Sequence, residues 1–216
     1  MVRAAQDRLN ATFGSRLLVV GAHPDDAELL AGGLLARWRG RRKVIVTTTM
    51  ASFDKKKQAT RAAEIEAAMA VLRVRDWEVG PHVDADLVHD RTLTKYFDAL
   101  VKDFKPTLVV THKDDDFHQD HRAICQALTA TLRRSPATLL LGESYLWPLD
   151  APNLYVDVTS GIDKKLKALS CYRSIIANGT FDPEAVRAFH RMRGHQTFRD
   201  EYAETFRVVK MSVPEA

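Results

Sequence analysis

The stretch that decides the fold is Leu17-Leu-Val-Val-Gly-Ala-His23-Pro-Asp25-Asp26-Ala-Glu28. It begins as an uninterrupted apolar run, which is typical of a strand buried on both faces of a sheet. The run ends in His-Pro-Asp-Asp, which predicts a tight turn from strand to helix, and a helical apolar pattern then resumes. Because open α/β sheets bind ligands at the carboxyl ends of their strands, we expect these polar side chains at a functional site.

The composition is that of an ordinary globular protein: of 216 residues, 45% are hydrophobic and 28% are charged. The length suits a single domain over residues 1–216, with a polar lead-in over residues 1–15. Two cysteines form no disulfide framework, and no apolar run suffices for a membrane span or a signal core. We therefore expect a cytoplasmic protein without a membrane partner.

The chain is basic, with a formal charge of +4 and a pI of about 9.1. Its basic clusters, at residues 39–43, 55–57 and 133–134, are short and scattered and lack interleaved aromatic residues. This pattern favours a solvated surface over a nucleic-acid interface. We expect no nucleic-acid partner, and nucleic-acid binding stays open as the less favoured alternative.

Strands and helices alternate along most of the chain, which indicates an α/β, Rossmann-like fold with a mostly parallel sheet and helices on both faces. One of the predicted helices runs from a capping box at Ser160 and Asp163 to about residue 176. Strands are predicted at residues 17–20, 43–49, 76–79 (ended by Gly80-Pro81), 107–112, 139–141, 144–147, 154–158 and 206–211.

A second polar cluster, His118-Gln-Asp120-His121, follows the buried strand at residues 107–112. Parallel strands would bring both clusters to the same edge of the sheet. Taken alone, His-Pro-Asp-Asp is readily explained as a helix cap, and the later histidines as surface residues of a polar loop. Two such clusters, each after a buried strand, are much harder to explain in that way. The acidic run at residues 114–116 is expected to be a solvated loop.

The combined residues suit a catalytic zinc site, which takes three protein ligands and leaves one position for water. His23, Asp26 and His121 supply such a set. Asp25 is then free to accept a proton from water, and His118 to stabilise an oxyanion and protonate the leaving group. Asp120 is expected to orient either His118 or a metal-binding histidine.

These motifs resemble those of the PIG-L/LmbE-like N-acetylglucosaminyl deacetylases. Ala22 to Asp26, with Glu28 and Gly32-Gly33, matches the first signature of that family, and His118 to His121 matches its His-x-Asp-His signature. Weaker similarities lie at residues 61–64, 84–87 and 202–206, so the resemblance spans nearly the whole chain. It implies a Rossmann-like fold and zinc-dependent removal of an N-acetyl group from an amino sugar, with ferrous iron as an alternative metal.

The resemblance also implies roles for individual residues. It supports the ligand set and the roles of Asp25 and His118 given above, and it suggests Arg61 and Asp84 as substrate contacts. The implied partner is a small N-acetylated sugar conjugate. Two departures concern the substrate: residues 47–52 replace a glycine-containing turn, and Phe117 stands where some members carry a tyrosine.

Other functions remain open at this point. A dinucleotide-binding module would need Gly-x-Gly-x-x-Gly after the first strand, where this chain has Gly21-Ala-His-Pro-Asp-Asp. A metal-dependent hydrolase of another amide or ester would carry the same metal-binding residues. A catalytically silent relative is not favoured, because every metal-binding and proton-transfer position is filled. The sequence does not set the oligomeric state, and a homo-oligomer stays open.

Overall fold

The structure, a computed structural model, describes residues 9–49 and 55–212. Strands and helices alternate through most of this part of the chain, as predicted. The elements are β1 (Arg16–Gly21), α1 (Asp26–Arg37), β2 (Arg41–Thr49), α2 (Lys55–Leu72), β3 (Asp76–Val83), α3 (Arg91–Phe104), β4 (Leu108–Thr111), α4 (Gln119–Leu132), β5 (Thr138–Gly142), β6 (Leu154–Asp157), α5 (Ile162–Leu169), α6 (Arg173–Ala177), α7 (Pro183–His195) and β7 (Ala203–Lys210).

The strands form one seven-stranded sheet in the order β3-β2-β1-β4-β5-β7-β6. Strand β7 pairs antiparallel with β5 and β6, whereas the other pairs are parallel. The prediction of a mostly parallel sheet in a single α/β domain is confirmed. The order reverses between β1 and β4, and this switch point is where such sheets form a ligand-binding crevice.

Strand β1 is buried on both faces, as its apolar run predicts. Leu17 and Val19 pack into a core that includes α1, α2 and α5. Leu18 and Val20 point the other way, into a core formed with α3 and α4. Because successive side chains of a strand point to opposite faces, one continuous apolar run supplies both cores. The sheet therefore holds the carboxyl end of β1 rigidly between two layers of helices.

Several predicted boundaries were wrong. Strand β3 continues through Gly80-Pro81, which is tolerated because β3 lies at the edge of the sheet and the amide missing at proline goes unused there. Residues 144–147 form a turn in which the Trp147 amide donates to the Ser144 carbonyl, so they are not a strand.

The single helix predicted up to residue 176 is divided. Helix α5 begins after Gly161 without a side-chain cap and ends at Leu169, and α6 follows from Arg173. The lead-in over residues 1–15 was predicted to be polar, but residues 9–13 form a helical segment whose Phe13 is buried in the core. Residues 1–8 lie outside the described part of the chain.

Helix α1 is broken at Ala31, where the backbone leaves the helical region at φ −147° and ψ 24°. A break of this kind leaves amide and carbonyl groups without their partners one turn away. The carboxylate of Glu204 on β7 accepts from the amides of Gly33 and Leu34, at 2.7 and 2.8 Å. The carboxylate of Glu204 thus takes the place of the backbone carbonyls that would accept from these two amides in an unbroken helix.

Lys165 completes this arrangement from α5. Its ammonium donates to the Leu29 carbonyl at 2.7 Å and to Glu204 at 2.8 Å, and both charged side chains are buried. Burial lowers the pKa of Lys165, and the carboxylate of Glu204 opposes that shift. Gly32 is required here, because a Cβ atom would lie 2.8 Å from the Lys165 side chain. The pair fixes the break in the helix that carries Asp26.

Within residues 9–49 and 55–212, no helix combines the length and apolar character needed to cross a membrane.

Candidate metal and catalytic site

The two polar clusters meet at the carboxyl ends of β1 and β4, as predicted from their positions after parallel strands. They border a cavity of about 340 Å³. Asp120 lies behind this surface and is fully buried. The other seven residues singled out from the sequence line the cavity: His23, Asp25, Asp26, Arg61, Asp84, His118 and His121.

Three nitrogen and oxygen atoms in the cavity form a nearly equilateral triangle. His23 Nδ1 lies 3.5 Å from Asp26 Oδ2 and 3.3 Å from His121 Nε2. Asp26 Oδ2 and His121 Nε2 are 3.6 Å apart. Ligands bound at about 2.0–2.2 Å to one tetrahedral ion lie roughly 3.3–3.6 Å from one another. The spacing of these atoms fits a tetrahedral metal ion.

Asp26 is held in place by the backbone that precedes it. Its Oδ2 accepts from the amides of Ala22 and His23, at 2.9 and 2.7 Å. A Cβ atom at Gly21 would lie 2.6 Å from the Asp26 side chain, so this approach requires glycine. Burial opposes ionisation of Asp26, but His121 and His112 outweigh it and hold the pKa of this carboxyl well below its usual range.

His23 is oriented by two carboxylates behind it. Its Nε2 lies 3.0 Å from Asp84 Oδ1 and 3.3 Å from Asp120 Oδ2. An imidazole that donates from Nε2 to a carboxylate presents the lone pair of Nδ1, the arrangement found in carboxylate–histidine–metal triads. Asp120 was expected to orient either His118 or a metal-binding histidine, and its carboxylate contacts His23. Asp84, expected at the substrate, lines the cavity and also contacts this ring.

The carboxylates around His23 form a region of negative charge that is largely buried. Burial lowers the pKa of His23, but hydrogen bonds to Asp120, Asp26 and Asp84 outweigh burial and raise this pKa to about 12. Several carboxylates packed around one imidazole are stable only with a compensating cation. A proton on His23 supplies one positive charge, and a divalent ion held by neutral rings supplies two. The donor set therefore fits a divalent metal.

Two residues beside His121 were missed from the sequence. His112, at the end of β4, is buried and stacks on the His121 ring, with centroids 3.7 Å apart and planes 10° apart. Asp116 Oδ1 lies 3.2 Å from His121 Nδ1, without the alignment of a hydrogen bond. The expectation of a solvated acidic run was wrong for Asp116, which is buried; the carboxylates of Asp114 and Asp115 are more than half exposed.

Further groupings of donors overlap the triangle. One ligand atom each from Asp26, His112 and His121 lies within 4.8 Å of the others, and the same holds for His23, His118 and His121. A third grouping joins His23 to Asp84 and Asp120. The Ala22 amide lies 3.0 Å from His112 Nε2 and 2.9 Å from Asp26 Oδ2, so its one proton is shared between the two acceptors. His118 Nδ1 accepts from the Asp120 amide at 3.2 Å as the cap of α4, which places the proton of the neutral ring on Nε2. This contact favours the triangle over the grouping that contains His118.

Asp25 does not act as the helix cap that its position allows. It precedes α1 in a left-handed conformation, with φ 94° and ψ −27°, and its side chain makes no capping hydrogen bond. This conformation costs a residue other than glycine about 1–3 kcal/mol, and such strain concentrates at functional sites. Burial raises the pKa of Asp25 well above its usual range, and the carboxylates of Asp26 and Glu28 raise it further. A buried carboxylate that makes no capping hydrogen bond and has a raised pKa is suited to accept a proton.

His118 presents a donor to the cavity when its ring is neutral. Because Nδ1 accepts from the Asp120 amide, the proton of the neutral ring is on Nε2. Burial lowers the pKa of His118, and the nearby rings of His23 and His121 lower it further.

Arg61 on α2 lines the cavity and places a positive charge there. Its guanidinium lies 3.5 Å from the carboxylate of Glu64, which accepts hydrogen bonds from the amide and hydroxyl of Ser174.

Comparison with known proteins identifies the family. The family model described as PIG-L, GlcNAc-PI de-N-acetylase, matches residues 18–132, just over half of the chain. The chain belongs to the PIG-L family. Its signatures at His23 to Asp26 and at His118 to His121 both lie within the matched segment. The chain is thus an enzyme of a deacetylase family, consistent with hydrolysis of amide bonds.

Two relatives illustrate the sequence similarity of this PIG-L protein. It is 26% identical over 167 residues to the uncharacterized deacetylase YaiS of Escherichia coli K12, covering 73% of this chain and 90% of that protein. It is 28% identical over 175 residues to 1D-myo-inositol 2-acetamido-2-deoxy-alpha-D-glucopyranoside deacetylase 1 of Saccharopolyspora erythraea, covering 61% of this chain. It spans only 58% of the length of that second relative.

Solved structures share the fold. The N,N'-diacetylchitobiose deacetylase of Pyrococcus horikoshii aligns with a TM-score of 0.75 and 20% identity, covering 90% of this chain and 84% of the other. GalB of Pseudomonas putida KT2440, a 4-carboxy-2-hydroxymuconate hydratase, aligns with a TM-score of 0.78 and 20% identity, covering 94% and 99%. The same fold therefore occurs in a deacetylase and in a hydratase, so the fold alone does not define the reaction.

Proposed function

We propose that this PIG-L protein removes the N-acetyl group from a GlcNAc-type amino-sugar conjugate with a divalent metal, zinc or ferrous iron. The observation that supports the proposal is the triangle of His23, Asp26 and His121 in the same cavity as Asp25, whose carboxylate does not cap α1. A bound divalent ion of this kind polarises a carbonyl and lowers the pKa of water to about 7. The remaining chemistry depends on residues of the chain.

Asp25 serves as the general base in this proposal. Asp25 lines the same cavity as the triangle, its side chain does not cap α1, and it contributes none of the three atoms of the triangle. Its raised pKa suits the role, because a base is most effective when its pKa approaches the working pH. The neighbouring Arg61 guanidinium favours the ionised form of this carboxylate.

His118 stabilises the developing negative charge. The Nε2–H group of the neutral ring donates to the amide oxygen as the carbonyl carbon becomes tetrahedral. His118 is fixed for this role by the Asp120 amide, which donates to Nδ1, so the ring has no second proton to give to the leaving amine. The leaving amine takes up the proton that Asp25 received from water.

In the same proposal, Asp120 orients His23, and Arg61 and Asp84, which line the cavity, contact the sugar hydroxyls.

The reaction is tested by product analysis. The metal-loaded protein is incubated with N-acetylglucosamine and its glycosides, and acetate and primary amine are measured together. We expect equimolar release of both products, and chelation should abolish it. Turnover of esters or peptides without turnover of any N-acetylated sugar would overturn the proposed substrate class and favour a hydrolase of another amide or ester.

We also propose a cytoplasmic location, as expected from the sequence. Cys125 and Cys171 are both unpaired, which fits a reducing compartment. The measurement is fractionation of the native host with detection of the protein by antibody. Recovery outside the cytoplasm would contradict this location.

A further inference from the structure

Three large apolar side chains are exposed together at the mouth of the catalytic cavity. Phe117 is 74% exposed, Trp147 41% and Leu146 40%, and the last two line the cavity itself. The rings of Phe117 and Trp147 contact each other with centroids 4.6 Å apart. We call these three residues the apolar rim. Single exposed apolar residues need no explanation, whereas a cluster that borders a cavity indicates a binding surface.

The loop that carries Leu146 and Trp147 is anchored at both ends. The guanidinium of Arg193 on α7 donates to both carboxylate oxygens of Glu143, at 2.8 and 2.7 Å. Glu143 also accepts from the Leu149 amide at 2.6 Å, and Lys113 donates to the Pro148 carbonyl at 3.2 Å. These hydrogen bonds set the position of the loop beside the cavity, where its apolar side chains are exposed.

The backbone at Phe117 is held from α4. The Arg122 guanidinium donates to the carbonyl of Phe117 at 2.8 Å and also to that of Asp116. Phe117 immediately precedes His118, the proposed donor to the oxyanion. A group bound on the apolar rim therefore lies close to the proposed reacting atoms.

We propose that the apolar rim binds an alkyl or aryl group carried by the acetylated sugar, so that the natural substrate is a conjugate with an apolar aglycone. This inference rests on the proposed deacetylase function. The polar side chains deeper in the cavity suit the hydroxyl and N-acetyl groups of the sugar. The three rim side chains carry no charge and only the indole N–H as a donor, so they offer little to a hydroxyl-rich or ionic aglycone. Burying their exposed faces against hydrocarbon is favourable.

The test uses alkyl glycosides of N-acetylglucosamine with methyl, butyl and octyl chains, kept below their micelle concentrations. Each methylene wholly removed from water is worth about fourfold in binding, so three half-covered methylenes give roughly tenfold. We expect kcat/KM to rise about tenfold from methyl to octyl in the wild-type enzyme. In Trp147→Ala, and independently in Phe117→Ala, this ratio should fall to within about threefold of unity.

Phe198→Ala is the matched control. Phe198 is 93% exposed, its ring contacts that of His195, and it is not among the described residues that line the cavity. It should keep the wild-type chain-length ratio. A wild-type ratio near unity, or an unchanged ratio in both rim variants, would overturn the proposal. So would a change of oligomeric state in Trp147→Ala with an unchanged ratio, since the rim would then be a self-association surface.

A separate binding measurement distinguishes failure of this inference from failure of the proposed function. Calorimetry is performed with methyl and octyl glucosides, which carry no acetyl group. Tighter binding of the octyl compound that is lost in Trp147→Ala supports the apolar rim even if no acetate is released from any glycoside. Acetate release without any chain-length dependence of binding would retain the deacetylase and reject the rim as a subsite.

Discussion

The buried pair of Lys165 and Glu204 makes a prediction about stability that can be worked out from its contacts. Glu204 is the acceptor for two backbone amides and for the Lys165 ammonium, at 2.7–2.8 Å. Glu204→Gln keeps the shape but removes the charge, which leaves the buried ammonium without its hydrogen-bonded carboxylate and with only the weaker effects of Glu143 and Glu28. Removing one partner of a buried pair typically costs about 3–5 kcal/mol. We expect a loss of about 4 kcal/mol in the free energy of unfolding.

Equilibrium urea unfolding followed by far-ultraviolet circular dichroism measures this loss. Lys165→Met should also destabilise the fold, because it leaves Glu204 uncompensated and the Leu29 carbonyl without its donor. The double variant should lose at least about 2 kcal/mol less than the sum of the single losses, because it leaves neither charge unpaired. Asp163→Asn, which removes the exposed partner of Arg187, is the control and should change stability by under about 0.5 kcal/mol.

A loss below about 1 kcal/mol in Glu204→Gln would refute this reasoning, as would strict additivity in the double variant. In the first case, the break at Ala31 would be stabilised by packing alone. In the second, the ammonium and carboxylate would act independently in spite of their 2.8 Å contact.

Three further predictions concern the site and its surroundings. His121→Ala should lose the bound divalent ion, measured by elemental analysis after dialysis; retention of about one ion per chain would reject His121 as a ligand. Arg61→Ala should mainly raise KM or shift substrate preference at unchanged metal content. Asp84→Ala should do the same and also weaken metal retention, because the Asp84 carboxylate orients His23 at 3.0 Å; wild-type kinetics and metal content in both variants would identify these residues as structural charges. Burial lowers the pKa of His190 well below its usual range, and Lys165 lowers it further. The unfolded chain then binds the extra proton below about pH 6.5, so stability should fall as pH decreases from there, by at most about 1.4 kcal/mol per unit from this group. His190→Gln should reduce that slope in urea unfolding at pH 7.5 and 5.5, and an unchanged slope would contradict the assignment.

The sequence was informative where local patterns determine the structure. The uninterrupted apolar run of β1 predicted a central strand, because a short run that is apolar at every position and ends in a turn is typical of a strand buried on both faces. The positions of the two polar clusters after parallel strands predicted their convergence. The side chains of His23 and His121, 98 residues apart, do meet in the cavity.

Features that depend on long-range packing were not predictable in the same way. Nothing near Glu204 in the sequence indicates that it caps a broken helix 170 residues away. Asp116 resembles its acidic neighbours in sequence and differs only in being buried against His121. His112 did carry a signal that was overlooked, because it is the last residue of the strand predicted over residues 107–112, at the edge of the sheet where ligands bind. The division after α5 was missed because the helical apolar pattern continues across it.

The proposed mechanism depends most directly on the difference between two adjacent carboxylates, Asp25 as base and Asp26 as metal ligand. The decisive measurement is the metal content and turnover of Asp25→Asn, since asparagine tolerates the left-handed conformation and removes only the basic charge. We predict a folded protein with the wild-type metal content and a turnover reduced by roughly 10²–10⁴-fold, the usual contribution of general acid–base catalysis. Asp26→Ala should lose both metal and activity. A metal-free Asp25→Asn, or one that turns over substrate at the wild-type rate, would contradict the account.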